Sequence, residues 1–148
     1  MTVVYSKGFY QTCEKSDGGV LNGADNLFTI TGSPILVTEF VGIVTTVIGG
    51  IANCQIKLVV TEPAGTVNLS TNVAIDSDAA GTSYIFTIAD PAVLTPTTAG
   101  ALEAIPRIAW LCPIGTINAT CSAARTGNIK WYIGYYMLSQ YSKVEAAA

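Results

Sequence analysis

The sequence predicts an all-β fold, an antiparallel β-sandwich of jelly-roll type, formed as one domain over residues 1–148. Two observations carry this. Apolar and polar residues alternate with period two in at least four segments, which is the spacing of half-buried strands. Clusters of Gly, Pro, Asn and Asp punctuate those segments at short intervals, as "SDGG", "NGAD", "TGSP", "IGG", "TEPAG" and "RTGN", where an antiparallel chain must reverse.

Taken in order, "MTVVYSKGFYQTCEKSDGG" lacks the continuous apolar stretch of a secretion signal, so the chain reads as soluble and made in the cytosol. "NLFTIT" reads as a short strand. "ILVTEFVGIVTTVI" follows with apolar residues on both parities: Ile35, Val37, Val41, Ile43 and Val47, against Leu36, Phe40, Val44 and Ile48. Its β-branched content opposes a helix. Two apolar faces predict a central strand, or one covered on its second face by a partner. "FVGIVTTVIGGIA" is shorter than the ~20 residues a membrane helix needs.

"CQIKLVV" places Cys54, Ile56, Leu58 and Val60 on one face. "YIFTI" aligns Tyr84, Phe86 and Ile88. "PAVLTPTTAGALEA" fits a short helical turn. "TINATCS" aligns Ile117, Ala119 and Cys121 opposite Thr116, Asn118 and Thr120. The longest alternation comes last. Ile129, Trp131, Ile133, Tyr135 and Met137 share one face, and Asn128, Lys130, Tyr132, Gly134, Tyr136 and Leu138 share the other. Trp131 is therefore the expected core anchor. Tyr132 and Tyr136, flanking a glycine on the outward face, are the expected interface residues, because tyrosine is enriched both at interfaces and on sugar-stacking platforms.

Composition narrows function further. Only 11% of residues are charged while 50% are hydrophobic, so part of the surface is expected to meet another protein. The net charge of −3 and seven scattered basic residues exclude a phosphate-binding surface of the usual kind. There is no histidine, which removes the common general base and most zinc sites. Asp76 and Asp78 lack the third ligand and glutamate of a calcium loop. No nucleotide-binding glycine motif occurs. The sequence thus offers no catalytic, metal or cofactor-binding residue. Asn68-Leu69-Ser70 and Asn118-Ala119-Thr120 match the glycosylation pattern by chance in a chain without a signal. Cys13, Cys54, Cys112 and Cys121 form no C-x-x-C pair and read as four reduced thiols, with a Cys112–Cys121 bridge as the alternative.

Two stretches, "LFTITGSPILVTEFVGIVTT" and "IGTINATCSAARTGNIKWYIGYYMLSQYSKVEAAA", resemble a group of small virion proteins of tailed bacteriophages. The resemblance rests on Gly32-Ser33-Pro34, where the group has a similar Gly-Gly-Pro between strands. It rests equally on Gly115-Thr116-Ile117, Cys121-Ser122-Ala123, Thr126-Gly127 and Ile129-Lys130-Trp131. Met137 stands where the group has proline, and residues 61–106 lie outside the likeness. The resemblance implies a capsid decoration, or cement, protein without enzymatic activity. It would be a homo-oligomer, a trimer by the three-fold positions of capsid lattices, bound to the major capsid protein on the virion exterior, with no cofactor, nucleic acid or membrane. The rival reading is a fibre or tail-associated module that recognises a host glycan through Tyr132, Tyr136 or loop residues.

Overall fold

The computed structural model describes residues 10–16, 20–21, 25–86, 94–96 and 108–148. Their strands are β1 (Tyr10–Ser16), β2 (Val20–Leu21), β3 (Asp25–Thr31), β4 (Ile35–Gly49), β5 (Asn53–Val60), β6 (Gly65–Asn68) and β7 (Val73–Ala74). They continue as β8 (Ser83–Phe86), β9 (Leu94–Pro96), β10 (Trp110–Cys112), β11 (Gly115–Cys121), β12 (Arg125–Met137) and β13 (Lys143–Ala146). One sheet runs β1-β12-β4-β8-β9, with β10 beside β4 and β2 beside β12. The other runs β13-β3-β11-β5-β6, with β7 beside β5. The result is the antiparallel β-sandwich expected from the alternation.

The pairing is nested. β3 pairs with β13, β4 with β12, β5 with β11 and β8 with β9. Each pair encloses the next along the chain, and successive members of β3, β4 and β5 change sheets. This is the doubled ribbon of a jelly roll. The two segments that carry the phage resemblance are the two outer arms of that ribbon. They also meet at their turns. Gly32 adopts a φ of +78°, and a Cβ there would overlap the carbonyl of Tyr141. The Ser142 hydroxyl donates to the Pro34 carbonyl at 2.9 Å. The motif residues at this corner hold the ribbon together.

The predicted faces appear as written for β12. Ile129, Trp131, Ile133 and Tyr135 are buried, Met137 is half-buried, and Tyr132 and Tyr136 are exposed. On β5, Cys54, Ile56 and Leu58 face inward. On β8, Tyr84 and Phe86 do so, while Ile88 lies outside the described residues. β4 explains its two apolar parities differently from a simple strand buried on both faces. Ile35 and Val37 are buried, then the buried set becomes Phe40, Gly42 and Val44. The ladder skips between them: Tyr135 faces Val37 and Gly134 faces Glu39, leaving Thr38 unpaired. A one-residue bulge exchanges the faces of everything beyond it. β4 is nonetheless central, with β12 on one side and β8 and β10 on the other.

Two expectations are corrected. Leu94–Pro96, inside the segment read as a helical turn, is a strand paired with β8; the rest of that segment lies outside the described residues. The cysteines are not four thiols. Cys54 and Cys121 are directly opposed on β5 and β11 with Cα atoms 4.1 Å apart, and they form a disulfide. Cys112 is not its partner, because β10 belongs to one sheet and β11 to the other. Cys112 is a buried free thiol and Cys13 a half-buried one. Removal from water pushes the Cys112 thiol up to about 12.

The core fills the space between the sheets with Leu27, Phe28, Ile30, Phe40, Ile56 and Trp131 among its largest members. Trp131 is 2% exposed. Its ring stacks near Tyr84 at 6.2 Å and 24°, and meets Phe40 at 5.6 Å. Lys15 at the edge of the first sheet donates to the Ala147 carbonyl, tying β1 to the end of the second sheet.

Candidate functional site: the outer face of the β1-β12-β4 sheet

The two outer faces of the sandwich differ. On the second sheet the outward positions include Thr29, Thr31, Gln55, Lys57, Thr116 and Thr120, a largely hydrophilic surface. On the first sheet, ladder register sets up an apolar row across four strands. Tyr10 opposes Tyr136, Tyr136 opposes Leu36, and Leu36 opposes Leu111. Tyr10 and Tyr136 are 43% and 39% exposed and Leu111 is 69% exposed. The two tyrosine rings meet at 5.3 Å with a 57° tilt.

The next row is Thr12, Gly134 and Glu39. Here the missing side chain of Gly134 matters. The Tyr10 hydroxyl crosses above it to donate to Glu39 Oε2 at 2.8 Å, and a Cβ on Gly134 would lie 2.4 Å from that hydroxyl and 2.3 Å from the carboxylate. The Thr38 hydroxyl donates to the same oxygen at 2.7 Å. The Thr38 bulge thus brings Glu39 to the outward face and also supplies one of its donors. Two hydrogen bonds fix the carboxylate in place.

The following rows hold Glu14, Tyr132 and Val41, then Ser16, Lys130 and Ile43. Lys130 Nζ sits 3.0 Å from Glu14 Oε1 and 5.4 Å from the centre of the Tyr132 ring. The hydrogen bond to the Glu14 carboxylate holds the ammonium above its ordinary pKa. Between these rows runs an open groove of about 410 Å³ lined by Tyr10, Thr12, Glu14, Glu39, Val41 and Tyr132, with Gly134 at its base. Tyr132 and Tyr136 therefore stand where the alternation predicted, on one face and on either side of Gly134. Tyr10, Glu39 and Leu111 are the members that sequence reasoning missed.

Elsewhere the polar groups serve the fold. Asp76 Oδ1 accepts from the Ala52 amide at 3.1 Å, and Asp78 Oδ2 accepts from the Tyr84 hydroxyl at 2.5 Å. Burial, reinforced by that carboxylate, raises the Tyr84 hydroxyl above its ordinary pKa. Among the described residues no group of three or more Cys, Asp and Glu is placed to hold a metal ion, and no helix is long and apolar enough to cross a membrane. Asn118 is buried within β11, which removes it as a glycan acceptor in the folded chain.

No family model and no curated protein matches the chain. Among solved structures, those of infectious bursal disease virus are distantly similar. For the Gt strain the identity is 14% and the TM-score 0.23, over 94% of this chain and 37% of that one. For the Gx strain the identity is 16% and the TM-score 0.23, over 92% of this chain and 36% of that one. The chain spans little more than a third of the length of those proteins. Likeness at that level carries neither fold nor function.

Proposed function

We propose that this protein is a non-enzymatic structural component of a virion, a capsid decoration protein that docks through the outer face of its β1-β12-β4 sheet. The observation that carries this reading is the row Tyr10–Tyr136–Leu36–Leu111, an apolar band crossing four strands on one side of a sandwich whose other side is largely hydrophilic, with Val59 its exposed apolar exception. In a chain with 11% charged residues, such one-sidedness suits permanent contact with protein. A stable contact needs roughly 800 Å² on each partner, and a face three to four strands wide offers that scale. The phage-protein resemblance supplies the partner, the major capsid protein, and the assembly, a trimer at three-fold positions.

The mechanism needs no bond-making. A protein that binds the assembled lattice and not its dissociated subunits stabilises the lattice by mass action. Its own rigidity limits the entropy lost on docking, and a disulfide-bridged sandwich is suited to that. The test is particle survival on heating with wild-type protein, with Tyr132→Ser/Tyr136→Ser protein, and with none. Survival raised by wild type and not by the double variant is expected. Equal survival in all three, with adsorption to host cells lost when the protein is absent, would instead establish a receptor-binding module.

A further inference from the structure

We propose that the groove beside Glu39 receives an arginine side chain from the docking partner. The proposal rests on the docking reading of the same face and identifies what the partner must present. The groove holds two carboxylates, Glu14 and Glu39, against one ammonium, Lys130. Glu14 is paired with Lys130 at 3.0 Å. Glu39 has no basic partner among the described residues. Both hydrogen bonds to Glu39 come from uncharged hydroxyls, Tyr10 and Thr38, and both reach Oε2. Among the described residues no donor reaches its Oε1, which can accept from outside.

While the face is open to water, this carboxylate is solvated. Covering the face removes that water. A charge left uncompensated under a protein interface is strongly unfavourable, because it loses its water without gaining a partner. A partner that buries the tyrosine–leucine row must therefore supply a cation above Glu39. The surroundings favour a planar one. Tyr10 and Tyr132 border the groove, and a guanidinium packs flat on aromatic rings while its edge donates to a carboxylate. The space directly above Gly134 is taken by the Glu39 carboxylate and the Tyr10 hydroxyl; the room for the guanidinium is the open groove that Thr12, Glu14, Val41 and Tyr132 line beside them. A neutral sugar fits the rings but leaves the charge unpaired.

The test uses the full-length protein and three probes: N-acetylarginine amide, its neutral isostere N-acetylcitrulline amide, and methyl glucoside. Binding is followed by the amide NMR shifts of Gly134 and Glu39. The arginine probe should give a saturable shift and bind at least about tenfold more tightly than the citrulline probe, equivalent to about 1.4 kcal/mol. Glu39→Gln, which keeps the shape and can still accept from Tyr10 and Thr38, should abolish that preference. Gly134→Ala, whose methyl group would displace the Glu39 carboxylate and the Tyr10 hydroxyl, should weaken the arginine probe in a protein whose melting point is checked separately. Equal binding of the citrulline probe, preferential binding of the glucoside, an undiminished preference in Glu39→Gln, or no saturation by any probe would each overturn the proposal. These readouts are separate from particle survival. A protein that protects particles but ignores the arginine probe removes this proposal alone. A protein that binds the probe but protects no particle keeps the cation site and removes the docking reading.

Discussion

The indole of Trp131 lies against Gly42, its ladder partner on β4. A Cβ on Gly42 would come within 2.5 Å of the six-membered ring. Tyr84 opposes Gly42 from the other side and stacks near the same indole. Two aromatic side chains from flanking strands thus close over a central residue that has none.

Gly42→Ala should therefore behave as an overpacked core, losing about 1–3 kcal/mol. Trp131→Ala should lose about 3–5 kcal/mol. The two changes should not add, because the alanine methyl occupies space that the indole has vacated. Urea denaturation of both single variants and the double variant measures this. Strict additivity would show that the two residues do not compete for the same volume.

Reducing the Cys54–Cys121 bridge should lower stability by about 4 kcal/mol on the chain-entropy account, because it closes a loop across a separation of 67 residues. Thermal melts with and without a phosphine reductant test it, with Cys54→Ala/Cys121→Ala as control. The double variant should melt low and no longer respond to reductant. An unchanged melting point in wild type would contradict a structural bridge.

Stability should be level near neutrality and fall in alkali. The Cys112 thiol is raised from 9.0 to about 12 by burial, and Tyr84 is raised by burial and by Asp78. For both, the folded state holds its proton more tightly than the unfolded state. Their contribution is complete below about pH 9 and declines as pH rises towards 12, by at most about 1.4 kcal/mol per pH unit for the thiol alone. Cys112→Ala should flatten the start of that decline in a pH series of denaturation curves. A decline of the same slope in the variant would assign it to other groups.

Tyr132→Ser with Tyr136→Ser should leave the fold standing, because both side chains lie on the outward face. The loss of the Tyr10–Tyr136 ring contact should cost no more than about 1 kcal/mol. Self-association by sedimentation should weaken in the same protein. Unfolding of the double variant would show that the outward tyrosines belong to the core.

What the sequence disclosed was whatever period two records locally. β12 displayed its two faces without ambiguity, so Trp131, Tyr132 and Tyr136 were assigned from spacing alone. Partner choice between distant strands leaves no such trace. β1 is a polar edge strand whose register with β12 brings Tyr10 onto Tyr136, and nothing in "YQTCEKS" announces it. The same holds for Cys54 and Cys121, whose meeting depends on the β5–β11 ladder. On β4 the alternation was present but shifted at Thr38, so a strand with one buried face read as having two. Glu39 was hidden by that same shift.

The nested ribbon also dictates when the chain can fold. Its innermost ladder joins Ile85 to Thr95, while an outer one joins Thr31 to Lys143. During synthesis β3, β4 and β5 emerge long before β11, β12 and β13, the strands that complete their ladders. A chain stopped ahead of β11 can close only the short ladders of β5 with β6 and β7, of β4 with β8 and β10, and of β8 with β9, and its long apolar strands wait as open edges prone to aggregate. The long ladders of β5, β4 and β3 can close only once β11, β12 and β13 are available. Ladders that join residues as distant as Thr31 and Lys143 lead one to expect folding in the millisecond-to-second range of non-local β folds.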